Sequence, residues 1–328
     1  MKTKTENLET VSFKRMMNKI KNVKMMKTNL KFIPVLFLAV STSLSGCEKE
    51  DKMVQVDEKN IVEVAQEAGQ FSVLIQAAGK AGLADFLSTE NNLTVFAPTD
   101  AAFTALLQDL GLASLDQIDA ATLGNILKYH VVSGTVYSKD LKSGYVPTLS
   151  TYSGNNVSMY VNIEEGVTIN KSTNVTAADI KAKNGVIHVV DKVILPPTVV
   201  SVALANSNFT TLVQAVVKAG LVDALNGEGP FTVFAPTNDA FSALFAQLGI
   251  SGIDDLTAEQ LVPILTYHVV LGNVLSTNLT AGEVNTLNGK KISVNLTSGV
   301  KINNSLVVAA DIQGSNGVVH VINQVLIP

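Results

Sequence analysis

One set of segments is written twice in this chain, and that duplication constrains the fold more than any other feature. Phe71-Ser72-Val73-Leu74 recurs 138 residues later as Phe209-Thr210-Thr211-Leu212. At the same offset Thr94-Val95-Phe96-Ala97-Pro98-Thr99 returns as Thr232-Val233-Phe234-Ala235-Pro236-Thr237, and Tyr129-His130-Val131-Val132 as Tyr267-His268-Val269-Val270. Further on the offset is 132, pairing Asn184-Gly185-Val186-Ile187-His188 with Asn316-Gly317-Val318-Val319-His320, so the second copy is six residues shorter. A period this long exceeds any solenoid unit, and 328 residues suffice for two domains of roughly 100–200 residues each. The boundary is expected at Leu195-Pro196-Pro197-Thr198, where consecutive prolines deny backbone donors and stiffen the chain. This divides the chain into a domain over 59–195, a Pro-rich linker over 196–198 and a second domain over 199–328.

Within each copy the first half reads helical and the second half reads as strands, an α+β unit. Phe71, Leu74, Ile75 and Ala78 recur at helical spacing, as do Leu212, Val213, Val216 and Val217. Gly82 and Gly220, in Ala-Gly-Leu segments, suit left-handed helix caps. Thr99 or Asp100 can cap a helix presenting Phe103, Leu106 and Leu107, and Thr237, Asn238 or Asp239 its counterpart. Thr257 and Gln260 have capping-box spacing, while Pro263 predicts a kink or a late start in that helix. Stretches such as 157–163 and 291–296 alternate like antiparallel strands between Gly and Asn turns.

The N-terminus reads as an address. Basic residues through Lys31 precede an apolar run from Phe32 to Leu44, then Ser45, Gly46 and Cys47. That is a signal peptide over 1–46, with Met25 or Met26 the better start and residues 1–24 an extension before it. Leu44-Ser45-Gly46-Cys47 resembles a bacterial lipobox, which makes Cys47 the lipid attachment site and 47–58 the tether. Lys49-Glu50-Asp51 resembles a surface-export signal of Gram-negative lipoproteins, so the expected location is the outer membrane or cell surface. Beyond Cys47 the chain holds 15 Lys, no Arg and 26 acids, a balance that argues against nucleic acid and phosphate-rich ligands.

The duplicated motifs carry a resemblance. Thr-Val-Phe-Ala-Pro-Thr, the Tyr-His pair and Asn-Gly-Val-[Ile/Val]-His-Val-[Val/Ile], in that order in each copy, resemble the signature blocks of fasciclin (FAS1) domains. The resemblance implies two tandem wedge-shaped antiparallel β-sandwiches with flanking helices. It also implies a non-catalytic adhesion protein that binds extracellular protein or polysaccharide, without a cofactor. By the same resemblance Tyr129, His130, Tyr267 and His268 are the expected binding residues.

All four histidines, His130, His188, His268 and His320, fall in the repeated motifs. Paired imidazoles could bind a metal or exchange protons near neutrality. Apart from Asp191, three residues after His188 in a strand-like stretch, no carboxylate lies three or four residues from them, and each is flanked by Val or Ile, so a neutral, buried, hydrogen-bonded role is the expected one. No metal is therefore expected, and His188 and His320, like Thr99, Asp100, Thr237 and Asn238, read as structural. The alternatives are a His-based metal-dependent protein or enzyme, and a passive envelope spacer. Tyr137, Tyr145 and Tyr152 are expected as exposed aromatics suited to sugar or protein contact, and the second copy lacks them.

Overall fold

A computed structural model describes residues 58–328. The first copy begins with helices α1 (Ile61–Ala68), α2 (Ser72–Lys80) and α3 (Ala84–Thr89), then strand β1 (Leu93–Pro98), α4 (Asp100–Leu110) and α5 (Ala120–Tyr129). It continues as strands β2 (Val131–Ser133), β3 (Gly144–Tyr152), β4 (Asn155–Asn162), β5 (Thr168–Ile169), β6 (Thr173–Ala182) and β7 (Gly185–Val190). The second copy repeats the plan with α6 (Val199–Ala205), α7 (Thr210–Lys218), α8 (Val222–Leu225), β8 (Phe231–Pro236), α9 (Asn238–Leu248) and α10 (Ala258–Tyr267). Its strands are β9 (Val269–Leu271), β10 (Gly282–Asn285), β11 (Lys291–Asn295), β12 (Lys301–Ile302), β13 (Ser305–Gln313) and β14 (Gly317–Ile322). The β10–β11 hairpin is much shorter than β3–β4, and there the second copy loses length.

Each copy forms one hydrogen-bonded sheet of seven strands, ordered β2-β1-β7-β6-β5-β4-β3 in the first and β9-β8-β14-β13-β12-β11-β10 in the second. The α+β class is as expected, but β1 pairs with β7 in parallel, as β8 does with β14, so the sheet is not wholly antiparallel. α4 and α5 return the chain to the sheet as β2, antiparallel to β1, and the parallel partner β7 is reached only after β3 to β6, a long connection of the kind that parallel pairing requires.

Every residue of β1 is buried, because it serves two cores. Val95 and Ala97 pack among the helices with Phe71, Phe103 and Ile126. Phe96, on the opposite face, packs with Tyr129, Met159, Ile169 and Val190 between the two halves of the folded sheet. Alternation along one strand thus joins a helical layer to a sandwich-like core. The second copy repeats this with Ala235 facing the helices and Phe234 the inner core.

Local signals behave as the side-chain chemistry requires. Gly82 and Gly220 take φ of 68° and 69°, left-handed conformations past the ends of α2 and α7. Thr257 and Gln260 form a reciprocal capping box, and α10 runs through Pro263 rather than starting after it. Gly185 has no room for a side chain: a Cβ there would lie 2.1 Å from the Leu93 carbonyl oxygen. Gly317 meets the Phe231 carbonyl in the same way, at 2.2 Å.

The two copies are packed together. Across the boundary the Tyr145 hydroxyl donates to the Val202 carbonyl at 2.9 Å, and the Gln313 amide donates to Ser158 Oγ at 3.1 Å. Tyr145 packs against the helical core of the second copy and tilts over Tyr160, with ring centres 4.8 Å apart. The expectation of an exposed Tyr145 is corrected: it is an interface residue, and burial pushes its hydroxyl pKa up. Strand pairing aligns Tyr145 with Glu283 and Tyr160 with Ser293, so the second copy lacks the aromatic half of this contact. Pro197 and Thr198 are buried, and the Pro197 carbonyl accepts from Ser315 N.

Among the described residues no single helix is long and apolar enough to cross a membrane. Cys47, the signal segment and most of the tether lie outside the described residues.

Candidate functional site

The Tyr-His pair sits where α5 ends and β2 begins, and both side chains point inward. Tyr129 is fully buried and His130 is 1% exposed. The Tyr129 hydroxyl donates to the Ser158 carbonyl at 3.0 Å and accepts from Asn170 Nδ2 at 2.9 Å. Asn170 in turn accepts from Tyr160 N through Oδ1, and its φ of 48° places it in the left-handed turn after β5. Tyr267 and Asn303 repeat the arrangement, with the hydroxyl on the Lys291 carbonyl.

His130 closes α5 and holds the segment after β7. Its Nδ1 lies 2.8 Å from the Ile126 carbonyl, and its Nε2 accepts from Ile194 N at 2.9 Å. A carbonyl accepts and an amide donates, so the proton must reside on Nδ1. His268 has the same geometry with Ile264 and Leu326. Burial drives both imidazole pKa values down to about 4, against a smaller opposing effect of the carbonyl bond. Both rings are neutral at physiological pH.

His188 and His320 take the other tautomer. His188 Nε2 donates to the Val136 carbonyl at 2.9 Å, while Nδ1 faces Asp179 N at 3.3 Å. His320 makes the matching contacts to Val274 and Asp311, and burial lowers its pKa. Asp179 and Asp311 occupy register shifts in β6 and β13 with φ of 63° and 62°. Asp179 is held there by Ser138, which donates its amide and hydroxyl to the two carboxylate oxygens at 2.7 and 2.6 Å. These bonds lower the Asp179 carboxyl pKa. The imidazoles also lie against Phe96 and Phe234, with ring centres 5.5 and 5.7 Å apart.

Both nitrogens of every imidazole are therefore engaged by backbone groups. Metal coordination through any of them would require breaking a buried hydrogen bond. Among the described residues no group of three or more His, Cys, Asp or Glu is placed to hold a metal ion. Nor can a macromolecular partner reach the buried Tyr129, His130, Tyr267 or His268 rings from the surface of the folded domains. Contact at this motif is left to the surface groups that these residues position.

Thr99 and Thr237 cap their own helices, each accepting from the amide three residues on. Asp100 does something else: it accepts from Val73 N and Ser72 Oγ, both at 2.7 Å, and so caps α2 from the start of α4. Asn238 caps α7 likewise through Thr211 N.

Two framework residues escaped the sequence reading. Asn184 is 5% exposed and accepts from Ile61 N at the start of α1, while its amide donates to the Leu87 and Glu90 carbonyls around the end of α3. Asn316 binds Val199 N and the Leu225 and Gly227 carbonyls in the same way. Their place directly before an obligatory glycine in a repeated motif was the available signal.

Fold and motifs together define a duplicated α+β module whose shared polar residues brace the framework and whose outer surfaces differ between copies. The chain belongs to the fasciclin domain family: the Fasciclin domain model matches residues 69–196 and 207–328. A Synechocystis relative, protein sll1483, is 50% identical over 132 residues, covering 40% of this chain and 73% of the relative. Transforming growth factor-beta-induced protein ig-h3 of Sus scrofa is 34% identical over 283 residues, 85% of this chain but 39% of that protein. A solved FAS1 domain pair from the insect cell adhesion molecule fasciclin I shares the fold, with a TM-score of 0.52 at 20% identity over 80% of this chain and 98% of the other.

Proposed function

We propose that this protein is a non-catalytic adhesion module, anchored through Cys47 to the outer membrane or cell surface, that binds extracellular protein or polysaccharide. The observation that carries the reading is the use made of the shared polar residues. In both copies the motif side chains are spent on internal hydrogen bonds, as in His130 with Ile126 and Ile194. Family membership supports it, since a cell adhesion molecule shares the domain pair. The lipobox-like segment before Cys47 supports the anchor.

Binding then falls to surfaces that the framework leaves free to vary. Tyr137 and Tyr152 are half-buried on the first copy rather than exposed, Tyr152 against the inner core, and the part of each ring that faces outward can still contact sugar or protein at modest entropic cost. The packed boundary presents the two surfaces in a set relation, so two weak contacts on one partner reinforce each other. A glycan and matrix-protein array probed with the full chain tests this. Saturable binding to one class of partner, weakened by Tyr137→Ala or Tyr152→Ala, is expected; the absence of any saturable partner makes the protein a spacer.

A further inference from the structure

The second copy contains an apolar cavity of about 70 Å³ between its helices and its sheet. The inner wall is built from Val199, Ala203, Leu265 and Val319, with His268 alongside. The His268 nitrogens are both bonded to backbone, so no free polar group faces the space. The mouth is apolar too: Leu204 and Val213 are half-buried, and Val217 is 56% exposed.

Comparison with the first copy shows which side chains differ around this space. On the inner wall Val199 replaces Ile61 and Val319 replaces Ile187, each a loss of one methylene from a buried position, and Val216 replaces Ala78, a gain of two carbons. At the mouth Leu204 stands in place of Gln66 and Val217 in place of Gly79. The interior has been reshaped without net loss of carbon, while the rim has become more hydrophobic. Exposing Leu and Val to water at one spot is a standing cost of apolar hydration that a ligand would relieve.

We propose that this cavity is a binding site for a neutral hydrocarbon chain, whose end enters between α6, α7 and the sheet while its next carbons lie on Leu204, Val213 and Val217. Chemistry and size both select that class. An apolar cavity without polar partners stays dry and accepts nonpolar guests, and one of about 150 Å³ holds benzene. At about half that volume this cavity holds a chain end rather than a fused ring, and drug-sized ligands need roughly 300 Å³ or more. A charged head group would have to remain outside, since nothing in the wall could pair with it. The site is separate from the adhesive surface proposed above and stands or falls independently of it.

The test is a titration of the full chain, methyl-labelled at Leu and Val, with 1-octanol, followed by NMR. Saturable shifts are expected at the Leu204, Val213, Val269 and Val319 methyls, with half-saturation below about 1 mM. Ala203→Leu, which fills the space, should weaken binding at least about tenfold, a change of about 1.4 kcal/mol. Should that variant fail to fold, Leu204→Gln, which installs the first copy's residue at the rim, decides instead with a several-fold weakening. Shifts that do not saturate, that fall equally on Val62 and Val131 of the first copy, or that survive both changes in a folded protein would overturn the proposal.

Discussion

The hydroxyl of Tyr145, on β3 of the first copy, donates to the carbonyl of Val202, on α6 of the second, at 2.9 Å. This bond and the Ser158–Gln313 contact make the tandem repeat one packed body rather than two beads on a prolyl link. Tyr145→Phe, which keeps the ring and removes the donor, should cost about 1 kcal/mol of stability in denaturant unfolding. Glu283→Ala, at the equivalent and exposed position of the second copy, should stay within about 0.5 kcal/mol of the parent.

Asn184→Ala should be far more damaging than the loss of one side chain suggests. It strands the Ile61 amide and the Leu87 carbonyl inside the protein and removes the partner of the part-buried Glu90 carbonyl. The expected loss is about 3 kcal/mol or more by chemical denaturation. Asp100→Ala, which removes a cap at the helix surface, should cost about 1 kcal/mol in the same assay.

Gly185→Ala should abolish folding of the first copy, because the new methyl would overlap the Leu93 carbonyl of the adjacent parallel strand. Gly154→Ala, at a positive φ of 79° but with open space around it, should lose about 1 kcal/mol from strain. Circular dichroism and thermal unfolding separate the two outcomes.

Acid should weaken the fold in a definite window. His130 and His268 have folded pKa values of about 4 against 6.5 for the free side chain, so the unfolded chain binds protons first. Stability is therefore complete above pH 6.5 and falls as the pH drops through 6.5 toward 4. Each ring forfeits about 3 kcal/mol across that span. Asp179, whose carboxyl is held below its ordinary value, adds to the loss at still lower pH. Denaturant midpoints measured at pH 7.5 and 4.5 check this, and His130→Gln should flatten the difference.

Much of the architecture was legible in the sequence because it is written locally. Gly82 and Gly220 announce left-handed caps, and Thr257 and Gln260 a capping box. The roles of Asp100 and Asn184 were not legible, since their partners lie 27 to 123 residues away and only the folded chain brings them together. Tyr145 misled for the same reason: an aromatic in a polar stretch looks exposed until a second domain covers it. The parallel β1–β7 pairing was also hidden, because strand alternation specifies faces but not direction.

The central claim is that the repeated histidines are neutral internal braces, two tautomers in each copy, and leave recognition to other surfaces. Long-range proton–nitrogen NMR of the imidazoles at pH 7 tests it most directly. The account predicts protons on Nδ1 of His130 and His268 and on Nε2 of His188 and His320, with His130 and His268 staying neutral until the pH approaches 4. Imidazoles at His130 and His268 that titrate near 6.5, or ring nitrogens that shift on adding Zn²⁺ to the folded protein, would contradict it.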